Sequence, residues 1–280
     1  MADVASKNMS SAILELQKLN ERRSALTTAC NVLSAILPAL FKDAATESTI
    51  NLSWEDAQER LRVGVPLLRG HALNVDEAAL QRRWIAVCAA LHQEQADALA
   101  DAVHLGKLRP NTLLHAVLAK GPEALASAIA PCDLDHALAA TVLRMSALPA
   151  LSQITSGFHK LRQRVAWNFG YCPHCGSWPL LGEARGLEQE RFLRCGLCAA
   201  AWPCGRLFCP FCGNRDYRTL GYIHVEGEED RYRAGTCENC RGYVKWVSTL
   251  FALSEPQLLV SDLATIHLDL AAAERGFHVP

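Results

Sequence analysis

The sequence predicts a multidomain α plus small β protein. An N-terminal all-α helical domain is followed by two tandem cysteine-knuckle modules and a C-terminal helix. Three observations predict this. Apolar residues recur at three- and four-residue steps through residues 1–168. Nine of the twelve cysteines then fall between Cys172 and Cys240. That stretch also opens twice with one pattern, Cys172-Pro173-His174-Cys175-Gly176-Ser177 and Cys209-Pro210-Phe211-Cys212-Gly213-Asn214.

In the helical region, Leu16, Leu19, Leu26, Ala29, Leu33, Ile36 and Leu40 form one stripe, which Pro38 is expected to kink or end. A second stripe runs through Leu80, Trp84, Val87, Cys88, Leu91, Ala98, Leu99 and Ala102. Asn74 is its expected cap, with Glu77 in capping-box position. Pro110 and Pro122 each open a shorter helix. Residues 134–148 and 151–167 complete the set, parted by Pro149. The texture changes at Gly170, where β-prone runs at 191–194, 219–225 and 243–249 alternate with cysteines and glycines. One more amphipathic helix follows, with Ser261 as expected cap and Gly276 at its end. No low-complexity linker separates these parts, so they should pack together.

Composition narrows the function classes. Half of the 280 residues are apolar and 20% are charged, as in chains that bury a core. The formal net charge of −1 supplies no global positive field for nucleic acid or anionic lipid. Disulfide frameworks belong to small secreted chains without a core, whereas eight of the nine clustered cysteines here form C-x-x-C pairs. Residues 1–11 lack the basic start and apolar run of a signal peptide. The apolar stretch at 30–41 is short for a membrane span and contains Pro38. The expectation is a cytoplasmic protein without a membrane span, its thiols free to hold metal.

Each copy of the repeat closes on a second pair, Cys195 and Cys198 in the first, Cys237 and Cys240 in the second. An Arg-aromatic dipeptide, Arg191-Phe192 and Arg231-Tyr232, precedes each closing pair. If each copy folds as one unit, Cys172, Cys175, Cys195 and Cys198 form one site, and Cys209, Cys212, Cys237 and Cys240 the other. The alternative interleaves the four pairs in a single object. Cysteines three apart on a tight turn point both sulfurs at one ion. Gly176 and Gly213 then supply left-handed backbone, and Pro173 and Pro210 fix φ. Tetrahedral S4 sites suit zinc or iron. Four thiolates leave no open coordination position, which favours structural work or one-electron transfer over hydrolysis.

Other candidates read more plainly. Cys204 lies between the modules and is expected to be unpaired and partly buried; Cys30, Cys88 and Cys132 sit on apolar helical faces as core residues. His174 is expected to point outward from its knuckle, and the other histidines form no ligand pair. The sequence contains no G-x-S-x-G, P-loop or G-x-G-x-x-G, and no nucleophile and base arrangement stands out, so no catalytic residues are assigned.

Residues 170–246 resemble the FdhE-type formate dehydrogenase accessory proteins. The resemblance is carried by Tyr171 to Ser177, by Arg191-Phe192-Leu193-Arg194-Cys195-Gly196-Leu197-Cys198, by Trp202 and Arg206, by Cys209 to Gly213 and by Cys237-Glu238-Asn239-Cys240. The last helix is similar too, whereas Cys204 departs from the family pattern. The resemblance implies a cytoplasmic assembly factor, not an enzyme, that binds the catalytic subunit of a respiratory formate dehydrogenase before export. It implies rubredoxin-like or zinc-ribbon knuckles holding two metal ions, with iron favoured over zinc and the eight paired cysteines as ligands. Trp202, Arg206 and the aromatics around the knuckles are then candidate contact residues, with Trp202 equally readable as a packing residue between the modules. The expected division is 1–168, 169–207, 208–250 and 251–280. Two other readings stand beside it: a rubredoxin-like electron carrier, and a zinc-ribbon nucleic-acid binder, which the acidic run Glu226, Glu228, Glu229 and Asp230 disfavours.

Overall fold

The computed structural model describes residues 2–42, 48–162 and 165–279. The helical region comprises α1 (Ala2–Arg22), α2 (Thr27–Phe41), α3 (Trp54–Arg62), α4 (Glu77–Leu91), α5 (Glu94–His104), α6 (Pro110–Lys120), α7 (Glu123–Ile129), α8 (His136–Ser156) and the short α9 (His159–Arg162). A two-residue antiparallel pair, β1 (Thr49–Ile50) and β2 (Leu73–Asn74), ties the loops on either side of α3.

Local chemistry sets several boundaries differently from the expectation. The first stripe is two helices, broken by a 3₁₀ turn at Ser24–Leu26, and α2 continues through Pro38 to Phe41. The second stripe also divides, at His92 in left-handed conformation. Asp76 caps α4 by accepting from the Ala79 amide at 2.9 Å, so Asn74 is not its cap. Pro149 lies inside α8, which runs unbroken from His136 to Ser156. Leu148, Pro149, Ala150 and Leu151 are all buried. Packing on that scale offsets the roughly 3 kcal/mol that an interior proline costs.

The cysteine-rich region folds as one six-stranded sheet. Its strands are β3 (Pro179–Arg185), β4 (Glu190–Cys195), β5 (Ala201–Pro203), β6 (Leu220–Ile223), β7 (Tyr232–Cys237) and β8 (Tyr243–Thr249), in the order β5-β4-β3-β8-β7-β6. Each repeat copy is a three-stranded antiparallel meander, and the copies join where β3 runs parallel to β8. The second copy therefore lies beside the first in the same orientation, as if displaced sideways across the sheet. This alignment places Cys195 with Cys237, each at the end of the middle strand of its copy. Arg191 then corresponds to Arg233, each four residues earlier, and the two Arg-aromatic dipeptides of the sequence are not equivalent.

The chain ends in two helices, α10 (Glu255–Ala264) and α11 (Ile266–Glu274), rather than one. Ser254 caps the first in a capping box with Gln257, and Ser261 is buried within it. These helices cover the sheet. Buried Lys245 on β8 donates to Asp262 and Asp269, both at 2.7 Å, and the Tyr243 hydroxyl donates to Asp269 at 2.8 Å. One continuous apolar core joins helices and sheet, from Leu16 and Trp84 to Trp202 and Trp246. Two helical segments, Ser24–Phe41 and His136–Ser156, are long and apolar enough to cross a membrane. Each also contributes residues to this core, Leu33, Ile36, Leu37 and Leu40 from the first and Val142, Leu143 and Leu151 from the second, so length and composition alone establish no span.

Within the acidic run, Glu228 pins the second repeat copy to the helical region. Arg23 donates to its two oxygens at 2.6 and 2.8 Å, and His267 lies 3.1 Å away. Burial pushes the Glu228 carboxyl up, but the Arg23 hydrogen bond together with the charges of Arg23, His267 and Arg231 outweighs it and holds the group below the ordinary carboxylate range. A depressed carboxyl contributes stability that is present above its unfolded pKa, roughly 4.3, and is lost as pH falls through the folded value. Glu228→Gln is expected to cost up to about 1 kcal/mol near pH 7, a small effect because both partners are partly exposed. Thermal melts of the two proteins should converge as the pH is taken below about 4.

Candidate metal centres

Four tight turns, two per site, build the candidate centres, and all four share one local geometry. In each, the residue following the second cysteine of the pair has positive φ: Gly176 at 84°, Ala199 at 56°, Gly213 at 73° and Arg241 at 58°. The first cysteine of each pair bonds across its turn. Its amide donates to the carbonyl of Ser177, Ala200, Asn214 or Gly242 at 2.8–3.0 Å. The two glycines were legible in the sequence. Ala199 and Arg241 were not, because only their place after the second cysteine marks them.

The turns bring the cysteines together as two separate quartets, Cys172, Cys175, Cys195 and Cys198, and Cys209, Cys212, Cys237 and Cys240, with all sulfurs of a quartet within 4.8 Å of one another. The copies are not interleaved. Across the first quartet Cys172–Cys198 is 3.6 Å and Cys175–Cys195 is 3.3 Å; across the second Cys209–Cys240 is 3.6 Å and Cys212–Cys237 is 3.7 Å. Disulfide sulfurs sit about 2.05 Å apart. A tetrahedron of sulfurs about 2.3 Å from a central ion has edges of roughly 3.8 Å. The spacings therefore suit an ion and exclude disulfides.

Amides point at the sulfurs, as thiolate charge requires. The His174 amide lies 3.4 Å from Cys172 Sγ, and those of Leu197 and Cys198 lie 3.3 and 3.4 Å from Cys195 Sγ. The side-chain amide of Asn214 donates to Cys237 Sγ at 3.5 Å. Burial pushes the Cys237 thiol up, but the amides of Cys240 and Asn239 and the Asn214 side chain outweigh it and bring the thiol down to about 7. In the first quartet burial pushes Cys172 and Cys198 well above the ordinary thiol value. Burial also acts on Cys175, where hydrogen bonds from its three partner thiols and from Ser177 prevail and hold it well below. Four sulfurs converging without a counter-charge are the donor set of a soft or borderline cation.

The two quartets differ in setting. All four cysteines of the first are buried, whereas Cys212 of the second is exposed and Cys240 half-buried. The loop after α3 accounts for the difference. It grips the first knuckle through Leu67 and Leu68 amides, which donate to Pro173 and His174 carbonyls at 3.0 and 2.7 Å. Tyr171 Oη also donates to the Gly64 carbonyl at 2.8 Å. Under this cover His174 is buried, not outward-facing. It lines a cavity of about 150 Å³ with Ser152, Thr155, Ser156 and Cys198.

An aromatic column joins the two knuckles. Trp167, Phe169, Tyr171 and Trp178 contact one another in sequence at 5.0–6.1 Å, and Trp178 meets Phe211 of the second knuckle at 5.5 Å. Gly170 allows the close approach, since a Cβ there would fall 1.7 Å from the Pro210 carbonyl oxygen. Gly170→Ala should therefore force the knuckles apart. The expected loss is about 1–3 kcal/mol, the usual cost of overpacking, read from a thermal melt.

The remaining candidates fall out as follows. Cys204 belongs to neither quartet, and burial pushes its thiol up to about 11. Cys30 and Cys88 are core residues and Cys132 is half-buried. Trp202 is fully buried on β5 opposite Leu193 and so offers no contact surface. Arg206 is exposed, as are parts of Phe169 and Trp178.

Comparison with known proteins agrees with this architecture. Residues 207–279 match the family model described as FdhE, C-terminal domain. A protein FdhE homolog of Stutzerimonas stutzeri (strain A1501) is 38% identical over 110 residues, covering 38% of this chain and 35% of its own. One of Aquifex aeolicus (strain VF5) is 33% identical over 150 residues, covering 51% and 52%. The chain thus spans about a third to a half of the length of these relatives. The crystal structure of the FdhE protein from Pseudomonas aeruginosa superposes with a TM-score of 0.65 at 21% identity, over 97% of this chain and 92% of that one. The resemblance read from the cysteine segments is thereby borne out: residues 207–279 match the FdhE C-terminal domain, and the chain shares the fold of the Pseudomonas aeruginosa FdhE protein over nearly its whole length.

Proposed function

We propose that the chain is a cytoplasmic accessory factor for a respiratory formate dehydrogenase, binding the catalytic subunit before export and catalysing no reaction of its own. In this reading Cys172, Cys175, Cys195 and Cys198 ligate one metal ion and Cys209, Cys212, Cys237 and Cys240 a second, with iron favoured over zinc. The observation that carries it is the pair of complete sulfur quartets in a chain of FdhE fold. Four thiolates fill a tetrahedral ion's coordination sphere, which leaves the metal no position for a hydrolytic substrate. The division into 1–168, 169–207, 208–250 and 251–280 assigns the knuckles to metal, and partner contact to the helical part together with the aromatics beside the knuckles. Phe169 and Trp178, exposed beside the knuckles, are the apolar contact residues we assign.

The test is affinity purification from the native host with metal analysis. Co-purification of a formate dehydrogenase catalytic subunit, two metal ions per chain, and lowered respiratory formate oxidation on deletion are the expected results. Normal formate oxidation in the deletion strain would overturn the reading. The aromatic column between the knuckles favours, as a second reading, one-electron exchange between the sites. A reversible iron colour change at physiological potentials is what that reading requires.

A further inference from the structure

On the sheet face away from α10 and α11, the side chain of Trp246 lies across two glycines. A Cβ at Gly182 would meet its ring at 2.4 Å and one at Gly235 at 2.9 Å. The indole and the neighbouring Tyr222 form an aromatic floor. Arg191 from β4 reaches over it, its guanidinium carbon 5.1 Å from the Trp246 ring, and Arg233 from β7 stands 5.3 Å from the Tyr222 ring. Arg206, from the segment crossing between the repeat copies, closes the third side. These three arginines line a recess of about 340 Å³ together with Gln189 and Asp230.

The partners of these arginines are mostly neutral. Arg191 donates to the Arg206 carbonyl at 2.7 Å and to the Tyr222 hydroxyl at 2.8 Å, and Arg206 donates to the Glu188 carbonyl at 2.7 Å. None of the three forms an ion pair among the described residues, whereas Arg185, Arg194, Arg218 and Arg241 of the same sheet region all do. The single carboxylate lining the recess is Asp230. Three fixed cations against one anion leave a surplus of two positive charges. Guanidinium forks, oriented by stacking and with donors to spare, match tetrahedral oxyanions bidentately. A monoanionic carboxylate would leave half of the surplus unmatched.

We propose that this recess binds a dianionic phosphate group, as free phosphate or as a phosphate monoester. The site lies outside both cysteine quartets and does not rest on the accessory-factor reading. A structural explanation of the cluster is weaker, because arginines serving only to hold the sheet would be expected to face carboxylates, as Arg194 faces Glu183.

The test is calorimetric titration of the full metal-loaded chain at constant ionic strength, with inorganic phosphate, glycerol 3-phosphate and acetate in separate arms. Saturable binding of either phosphate species at one site per chain, at least about tenfold tighter than acetate, is the expected result; the tighter of the two identifies the source. Arg233→Gln and Arg206→Gln should each weaken it about tenfold or more, the loss typical of a charge-assisted hydrogen bond. Asp230→Asn should tighten it about fivefold or more, the scale of one like charge about 4 Å away with full water screening. The Asp230 variant removes no supporting contact named above, so it reads the electrostatics even if an arginine variant folds poorly. Absence of saturable phosphate binding, acetate binding as tightly, or no tightening in Asp230→Asn would overturn the proposal.

Discussion

Challenged with a thiolate-competing chelator, the metal-loaded chain is expected to lose its ions in two steps, the second quartet emptying first. The chemistry of the two sites is the same, so the difference must come from access. Cys212 is exposed and Cys240 half-buried, and the turn carrying Cys212 has open space beyond Gly213. All four cysteines of the first quartet are buried, and Leu67 and Leu68 are bonded across its knuckle. A chelator can displace one sulfur at a time from the second site, whereas reaching the first requires the helical loop to lift from Pro173 and His174.

Ligand substitutions should divide the same way. Structural zinc in zinc-finger peptides contributes about 10–16 kcal/mol of apparent binding free energy near pH 7. Cys175→Ser alters the fully buried quartet and is expected to leave little folded protein. Cys212→Ser should keep one ion per chain, with the helical region melting within a few degrees of the parent. Time-resolved metal release followed by elemental analysis reads both. Simultaneous release, or prior loss from the first site, would show that burial does not control access.

The parts of this architecture that were legible in the sequence rest on local chemistry. Cysteines at fixed spacing, with Gly176 and Gly213 after them, specify turns whose geometry depends on few neighbours, and the quartets form as the repeat suggested. Strand positions were legible where β-prone side chains cluster, and the run at 243–249 is β8 to the residue. What escaped the sequence depends on contacts between distant segments. The parallel pairing of Gly182 with Trp246 that fuses the two copies into one sheet spans a long stretch of chain and leaves no periodic trace. His174 was read as outward-facing, and Trp202 as either a contact or a packing residue, because nothing in their own turn or strand announces the helical loop or sheet that covers them. The break after Arg22 was hidden because apolar spacing carries on through it, while Arg23 leaves the helix to reach Glu228.

Arg194→Met is expected to be among the most destabilising substitutions away from the cysteines, costing about 3–5 kcal/mol. Glu183 on β3 is fully buried, and its carboxylate accepts from Arg194, from Arg185 at 2.6 Å and from the Leu253 amide at 3.3 Å. Arg194 in turn donates to the Ala199 and Leu253 carbonyls, at 3.1 and 2.8 Å. One ion pair thus ties together the strand that joins the two repeat copies, a turn of the first cysteine quartet and the segment entering α10. Methionine would match the length of the arginine stem but leave a buried carboxylate with only the partly buried Arg185 and one amide, and the two carbonyls without a donor. That uncompensated charge sets the size of the effect, more than the lost attraction does. The double variant Glu183→Leu with Arg194→Met separates the two: removing both charges together should recover most of the loss. Chemical denaturation of the three proteins, metal-loaded throughout, gives the coupling directly. A double variant as unstable as Arg194→Met alone would mean that the carbonyls of Ala199 and Leu253, rather than the pairing with Glu183, are what Arg194 holds in place.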